Sequence, residues 1–298
     1  LLLGETKGAI IQAQLAKKSA ILLENKTKLA QAYNNLGNGY YYQASYNKSL
    51  DSHKQALALR ESLNLHQNVA DSKNNIALVL MQMGQPEKAL LLYQEAYSQY
   101  LALNRKYDQA DVLSNIGNVL FHLGQLHQAK QYYQDALAIF KEENANNGVA
   151  GTLGNLGIVY KELGQPQKAI ELYQKALELN RELNASYYIA ANLNNLASLY
   201  NVLKRFHLAE KYADEAINLC REKELNSILA NSLHSYAEAI AGLGKLNESL
   251  TYALESAAVA SSAKDQLQRI KSLEFISSVY ERLDDYEKSL AYYQQFKI

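Results

Sequence analysis

LSNIGNVL (Leu113–Leu120) returns forty residues later as LGNLGIVY (Leu153–Tyr160), and this pair decides the fold. The same frame carries YNNLGNGY at 33–40, KNNIALVL at 73–80 and LNNLASLY at 193–200, with LHSYAEAI at 233–240 and LEFISSVY at 273–280 as weaker copies. A second block keeps phase with the first: GQPEKALLLYQEAY from Gly84, GQLHQAKQYYQDAL from Gly124, GQPQKAIELYQKAL from Gly164 and GKLNESLTYALESA from Gly244. A repeat of this length without insertions marks an array of small supersecondary units, each burying its apolar face against its neighbours.

Both blocks have helical spacing. Val69, Ile76, Leu80 and Met83 fall on one face of the first, and Ala89, Tyr93, Ala96 and Tyr100 on one face of the second. The break between them falls at Gly84, Gly124, Gly164 and Gly244, where glycine can take the left-handed conformation that ends a helix. Pro86 and Pro166 follow at the first turn of the second helix, where a missing N–H costs nothing.

These residues resemble the tetratricopeptide repeat (TPR), in the longer 40-residue form found in kinesin light chains and bacterial regulators. One repeat supplies Leu156, Gly157, Tyr160, Ala169, Tyr173 and Ala176, and another Ile116, Gly117, Leu120, Ala129, Tyr133 and Ala136. The early Trp and closing Pro of the shorter form are absent, as in the longer subtype. The resemblance implies an all-α, right-handed superhelical solenoid of antiparallel helix pairs. It covers residues 1–298 as a single array: a partial unit at 1–25, repeats at about 26–65, 66–105, 106–145, 146–185, 186–225 and 226–265, and a truncated unit at 266–298. In this frame Gly4 to Lys28 reads as a second helix, as does Tyr286 to Ile298. The start at Leu1-Leu2-Leu3 reads as a piece of a longer polypeptide.

Composition narrows the function. The 298 residues hold 30 basic and 30 acidic side chains, so no net field favours nucleic acid or acidic lipid. No run approaches the roughly 18 apolar residues of a membrane span. The histidines, at 53, 66, 122, 127, 207 and 234, have no metal-ligand spacing, and His122 and His127 are five apart where one helix face needs four. Cys220 sits where other repeats place Tyr100, Phe140 and Ala260, so it reads as a packed thiol. No enzyme, metal or cofactor is expected, and a cytoplasmic location is.

The informative residues are polar ones on the first helices, the face that lines the concave groove in TPR arrays. Asn35, Asn75, Asn115, Asn155 and Asn195 occupy one frame position, with Asn34, Asn74 and Asn194 one residue before and Asn38 and Asn118 three after. Asn lowers helix propensity by up to about 0.7 kcal/mol relative to Ala, so such a ladder needs compensation. An uncharged amide has two donors and an acceptor, which suits the backbone of an extended peptide. The resemblance implies that role for the five ladder positions; alternatively, each Asn bonds to a neighbouring repeat. Tyr41, Met81 and Phe121 recur one turn on, followed by Lys161, Asn201, Ala241 and Glu281. They are core residues if buried, and apolar anchors if exposed.

GVAGTLGNLG (Gly148–Gly157) lacks the spacing of a dinucleotide fingerprint and the Lys of a P-loop. Gly157, like Gly37 and Gly117, reads as a small residue at a close helix contact, and Gly148 as part of an inter-repeat loop. Gly151 and Gly154 replace larger groove-facing residues and leave room for a ligand backbone or a bend. The expected partner is therefore a protein or peptide segment, with no direct nucleic-acid contact and no membrane insertion. The alternatives are a ligand-responsive segment of a larger bacterial signalling protein and a scaffold that self-associates through its open ends.

Overall fold

The computed structural model describes residues 2–296, with side chains from Thr6 onward, and among them the secondary structure is helical throughout, with no strand. The helices are α1 (Leu2–Leu22), α2 (Lys26–Tyr42), α3 (Tyr46–Ser62), α4 (His66–Gln82), α5 (Pro86–Ala102), α6 (Lys106–His122), α7 (Leu126–Glu142), α8 (Asn146–Glu162), α9 (Pro166–Glu182), α10 (Ser186–Val202), α11 (Phe206–Glu222), α12 (Asn226–Gly242), α13 (Leu246–Ser262), α14 (Gln266–Arg282) and α15 (Tyr286–Phe296). From α2 to α14 every helix has 17 residues, and a new one begins every 20. The 40-residue sequence period is therefore two helices with two three-residue connectors.

Those connectors are short because each ends one helix and starts the next with the same residues. At Gly84, φ is +68°, its N–H reaches the Met81 carbonyl at 3.1 Å, and the Gln85 N–H reaches back to Leu80 at 3.0 Å. This is a Schellman closure. The Gln85 carbonyl then accepts the Ala89 N–H, so the next helix is under way. Gly124, Gly164 and Gly244 are also left-handed, and Pro86 and Pro166 stand at the first helical position. Between repeats the left-handed position is filled by Asn64, Asn104, Asn144 and Asn184, and by Glu24, Glu224 and Lys264 in the outer connectors.

Two boundaries differ from the sequence expectation. α1 stops at Leu22 rather than running to Lys28, because Asn25 caps α2, its side chain accepting from the Lys28 N–H at 2.9 Å. Gly148 lies in the first turn of α8 rather than in a loop, and a Cβ there would run into the Phe140 ring.

The chain divides into two compact units, the first ending at Gly148 and the second beginning at Val149, inside α8. In the first unit Ile76 and Leu80 of α4 are buried with Ala89, Tyr93, Ala96 and Tyr100 of α5. In the second a continuous cluster joins Tyr173 and Leu177 of α9 to Leu193, Leu196 and Leu199 of α10 and Ala209 and Ala216 of α11. Gly117 and Gly157 are fixed by the same packing: a Cβ would stand 2.7 Å from the Tyr133 ring at one and 2.5 Å from the Tyr173 ring at the other. Cys220 is fully buried, and desolvation pushes its thiol up to about 11.

Candidate functional site

The amides of the first helices form a ladder that runs from repeat to repeat. In the first unit Asn75 Nδ2 donates to Asn34 Oδ1 at 3.1 Å, and Asn115 Nδ2 donates to Asn74 Oδ1 at 3.3 Å. In the second unit Ser235, the next residue type at this position, donates to Asn194 Oδ1 at 3.1 Å. Each rung joins a residue to one 41 positions earlier, so the two Asn columns serve as donor and acceptor. Inter-repeat bonding thus occupies one N–H of Asn75 and of Asn115.

The remaining site residues divide by their surroundings. Asn35 is exposed and accepts from Gln31 Nε2 at 2.8 Å on its own helix, and Asn38 is exposed beside it. Asn118 Oδ1 accepts from the buried Tyr133 hydroxyl at 2.6 Å, which ties it to the second helix of its own repeat. Asn155 and Asn195 are half-buried on α8 and α10. Gly151 and Gly154 differ from Gly157: a Cβ at Gly151 would meet nothing within 4 Å, and one at Gly154 only Asn192 Oδ1, at 3.7 Å. Tyr41, Met81 and Phe121 are all half-buried, neither closed into the core nor fully exposed. Tyr41 packs edge-on against Tyr42 and Tyr46, and burial holds its hydroxyl above the usual tyrosine range. In the second unit the corresponding Asn201 is half-buried, Ala241 is buried and Glu281 is exposed.

The second unit contains a cleft of about 520 Å³ lined entirely from first helices, α10, α12 and α14. Its walls include Asn194, Ser235, His234, Glu238, Glu274 and Phe275, so the ladder column forms part of an open surface. His234 Nε2 stands 3.5 Å from Glu238, while Asn201 Nδ2 donates to the Ser235 carbonyl at 2.7 Å and to Glu238 at 3.2 Å. Bonding to a neighbouring repeat is the alternative left open in the sequence, but which column donates to which is not legible there. The trace of the pairing is an Asn in one repeat 41 residues after an acceptor in the preceding one, and that trace fails at Gly154.

Among the described residues no three His, Cys, Asp or Glu side chains come together as a metal site. Nor, among them, is any helix long and apolar enough to cross a membrane.

No curated protein matches the chain in sequence. A solved Rap protein complexed with competence and sporulation factor superposes with a TM-score of 0.72 at 17% identity, over 99% of this chain and 84% of that one. Aspartyl phosphate phosphatase F from Bacillus subtilis gives 0.74 at 14%, over 93% and 72%. The signal transduction ATPase with a tetratricopeptide repeat sensor from Pyrococcus horikoshii gives 0.74 at 14%, over 96% of this chain and 46% of that one. At these identities the likeness is one of fold. The family model described as tetratricopeptide repeat matches residues 28–102 and 108–182, and further tetratricopeptide repeat models match 190–224 and 270–296. The chain belongs to the tetratricopeptide repeat family.

Proposed function

We propose that this chain is a non-catalytic binding module that holds an extended peptide or protein segment against the first-helix face of its repeats. The observation that carries this reading is the uncharged, partly exposed amides of each unit, Asn35, Asn38, Asn75 and Asn115 in the first, beside the half-buried Tyr41, Met81 and Phe121, and Asn155 and Asn195 in the second. An Asn that spends one N–H on the ladder keeps a second N–H and an acceptor for a ligand. Amides read main chain, and the apolar stripe supplies side-chain anchors. The relative crystallised with competence and sporulation factor supports the reading by analogy of fold.

The test is selection from a display library of short random peptides on the purified chain, followed by titration calorimetry of the enriched peptide at low and high salt. Saturable binding that changes little with salt is expected, because an amide surface displaces few ions. Failure to enrich any peptide, or an affinity that collapses with salt, counts against it.

A further inference from the structure

The ladder has one broken rung. Its register pairs each donor with the residue 41 positions before it, so Asn195 is due to donate to residue 154, and residue 154 is Gly154. Among the described residues, the Asn195 side chain has no hydrogen-bond partner. One turn earlier on α10, Asn192 is 5% exposed, and its Nδ2 is tied to the Tyr188 carbonyl at 2.8 Å. That bond fixes the carboxamide with Oδ1 toward Gly154, 3.7 Å from where a Cβ would stand, and no protein donor reaches this oxygen among the described residues. A nearly buried acceptor and a spare donor therefore lie on one helix face, above a floor from which Gly151 and Gly154 have removed two side chains.

We infer that Asn192, Asn195, Gly151 and Gly154 form a subsite for one residue of an extended polypeptide from a partner protein. In extended backbone a residue's own N–H and C=O point to the same edge. The ligand N–H donates to Asn192 Oδ1, and the ligand C=O accepts from Asn195 Nδ2. The bare glycines let the main chain come close, as glycine does wherever backbone must approach backbone. At Asn75, Asn115 and Ser235 the corresponding donors are already engaged between repeats, so at this step of the array the demand for main-chain groups is unmet. This inference rests on the peptide-binding reading above and assigns it a place.

Gly154→Asn tests it without deleting a group, since it supplies the acceptor that Asn195 lacks and closes the ladder. Asn also suits a helix better than Gly, so the variant should fold. A peptide enriched from the random display library on the parent chain is titrated into the parent, Gly154→Asn, Asn195→Ala and the double variant. We expect each single substitution to weaken binding about tenfold, as one or two main-chain hydrogen bonds are lost, and the double to add little. A peptide bound by Gly154→Asn within about twofold of the parent overturns the subsite while leaving the module a peptide binder. If no peptide is enriched on the parent, the broader reading falls and the subsite with it.

Discussion

Asn115 Nδ2 lies 3.3 Å from Asn74 Oδ1, one repeat earlier, so the amide column that faces solvent also joins repeats within the first unit. That relationship separates the ladder positions into two kinds. At Asn75, substitution by Ala removes a donor from the 9%-exposed Asn34, whose oxygen also lies 3.4 Å from the Arg60 guanidinium. Asn75→Ala should lower stability by about 1 kcal/mol, net of the better helix propensity of Ala. Asn195→Ala loses no bond to the protein and should leave stability unchanged or raise it by about 0.5 kcal/mol. Urea titration of both variants decides the matter. A drop in the midpoint for Asn195→Ala equal to that for Asn75→Ala would show that Asn195 is held by the fold.

A pH dependence follows from His53. It fills the place of Tyr93, Tyr133 and Tyr173 in other repeats, is 1% exposed, and has no hydrogen-bond partner for Nδ1 among the described residues. Burial first, and the nearby Arg60 second, depress its pKa from 6.5 to about 4. The unfolded chain therefore binds the proton first, so stability is full above about pH 6.5 and declines as pH falls toward 4. With about 1.4 kcal/mol per unit, the loss reaches up to about 3 kcal/mol. His53→Tyr should remove this slope. The Gly37 floor matches the Gly117 floor under Tyr133, and Asn38 stands where Asn118 accepts the Tyr133 hydroxyl. Chemical denaturation at pH 7 and pH 5 measures it; an unchanged slope in the variant would place the dependence elsewhere.

Most of the fold was legible because local and global preferences coincide in every repeat. Gly84 must be left-handed, Pro86 must be early in a helix, and Gly117 must be small, so period, breakers and close contacts mark the same boundaries. The site was only partly legible. The Asn column announced itself by recurrence, but whether an amide faces a ligand or a neighbour depends on the register between helices 40 residues apart, which one-dimensional pattern does not encode. Gly148 was misplaced for a related reason. In isolation a glycine before a helix reads as loop, whereas here it lies inside α8 and must lack a side chain because the Phe140 ring occupies that space.

Ala44 supplies a test of the connectors. It has φ of +56° at the frame position held by Gly84, Gly124, Gly164 and Gly244. An L-residue in this region costs about 1 to 2 kcal/mol, partly offset in a Gly variant by the greater freedom of the unfolded chain. Ala44→Gly should stabilise the first unit by about 0.5 to 1 kcal/mol. A raised melting temperature is expected, and a lowered one would mean that the connector tolerates Ala without strain.

The four glycines of GVAGTLGNLG give the sharpest contrast, because they differ in what stands beyond the missing side chain. At Gly157 a Cβ would lie 2.5 Å from the buried Tyr173 ring, and at Gly148 it would run into Phe140. Neither ring can withdraw without opening the core, so Gly157→Ala should destabilise by about 1 to 3 kcal/mol despite its better propensity. At Gly151 the same methyl meets nothing within 4 Å, and at Gly154 only a contact at 3.7 Å. There the helix gains about 1 kcal/mol per substitution from reduced unfolded-state freedom and improved propensity, so Gly151→Ala with Gly154→Ala should stabilise by about 2 kcal/mol. Calorimetric melting of the two variants against the parent measures both signs. Opposite shifts are expected within one helix, and a stabilising Gly157→Ala would show that the Tyr173 ring yields. Because the stabilising pair lies on the floor below Asn192 and Asn195, the same double variant should bind an enriched peptide more weakly than the parent while melting later. Stability and binding move apart where the missing side chains serve a ligand and move together where they serve the core.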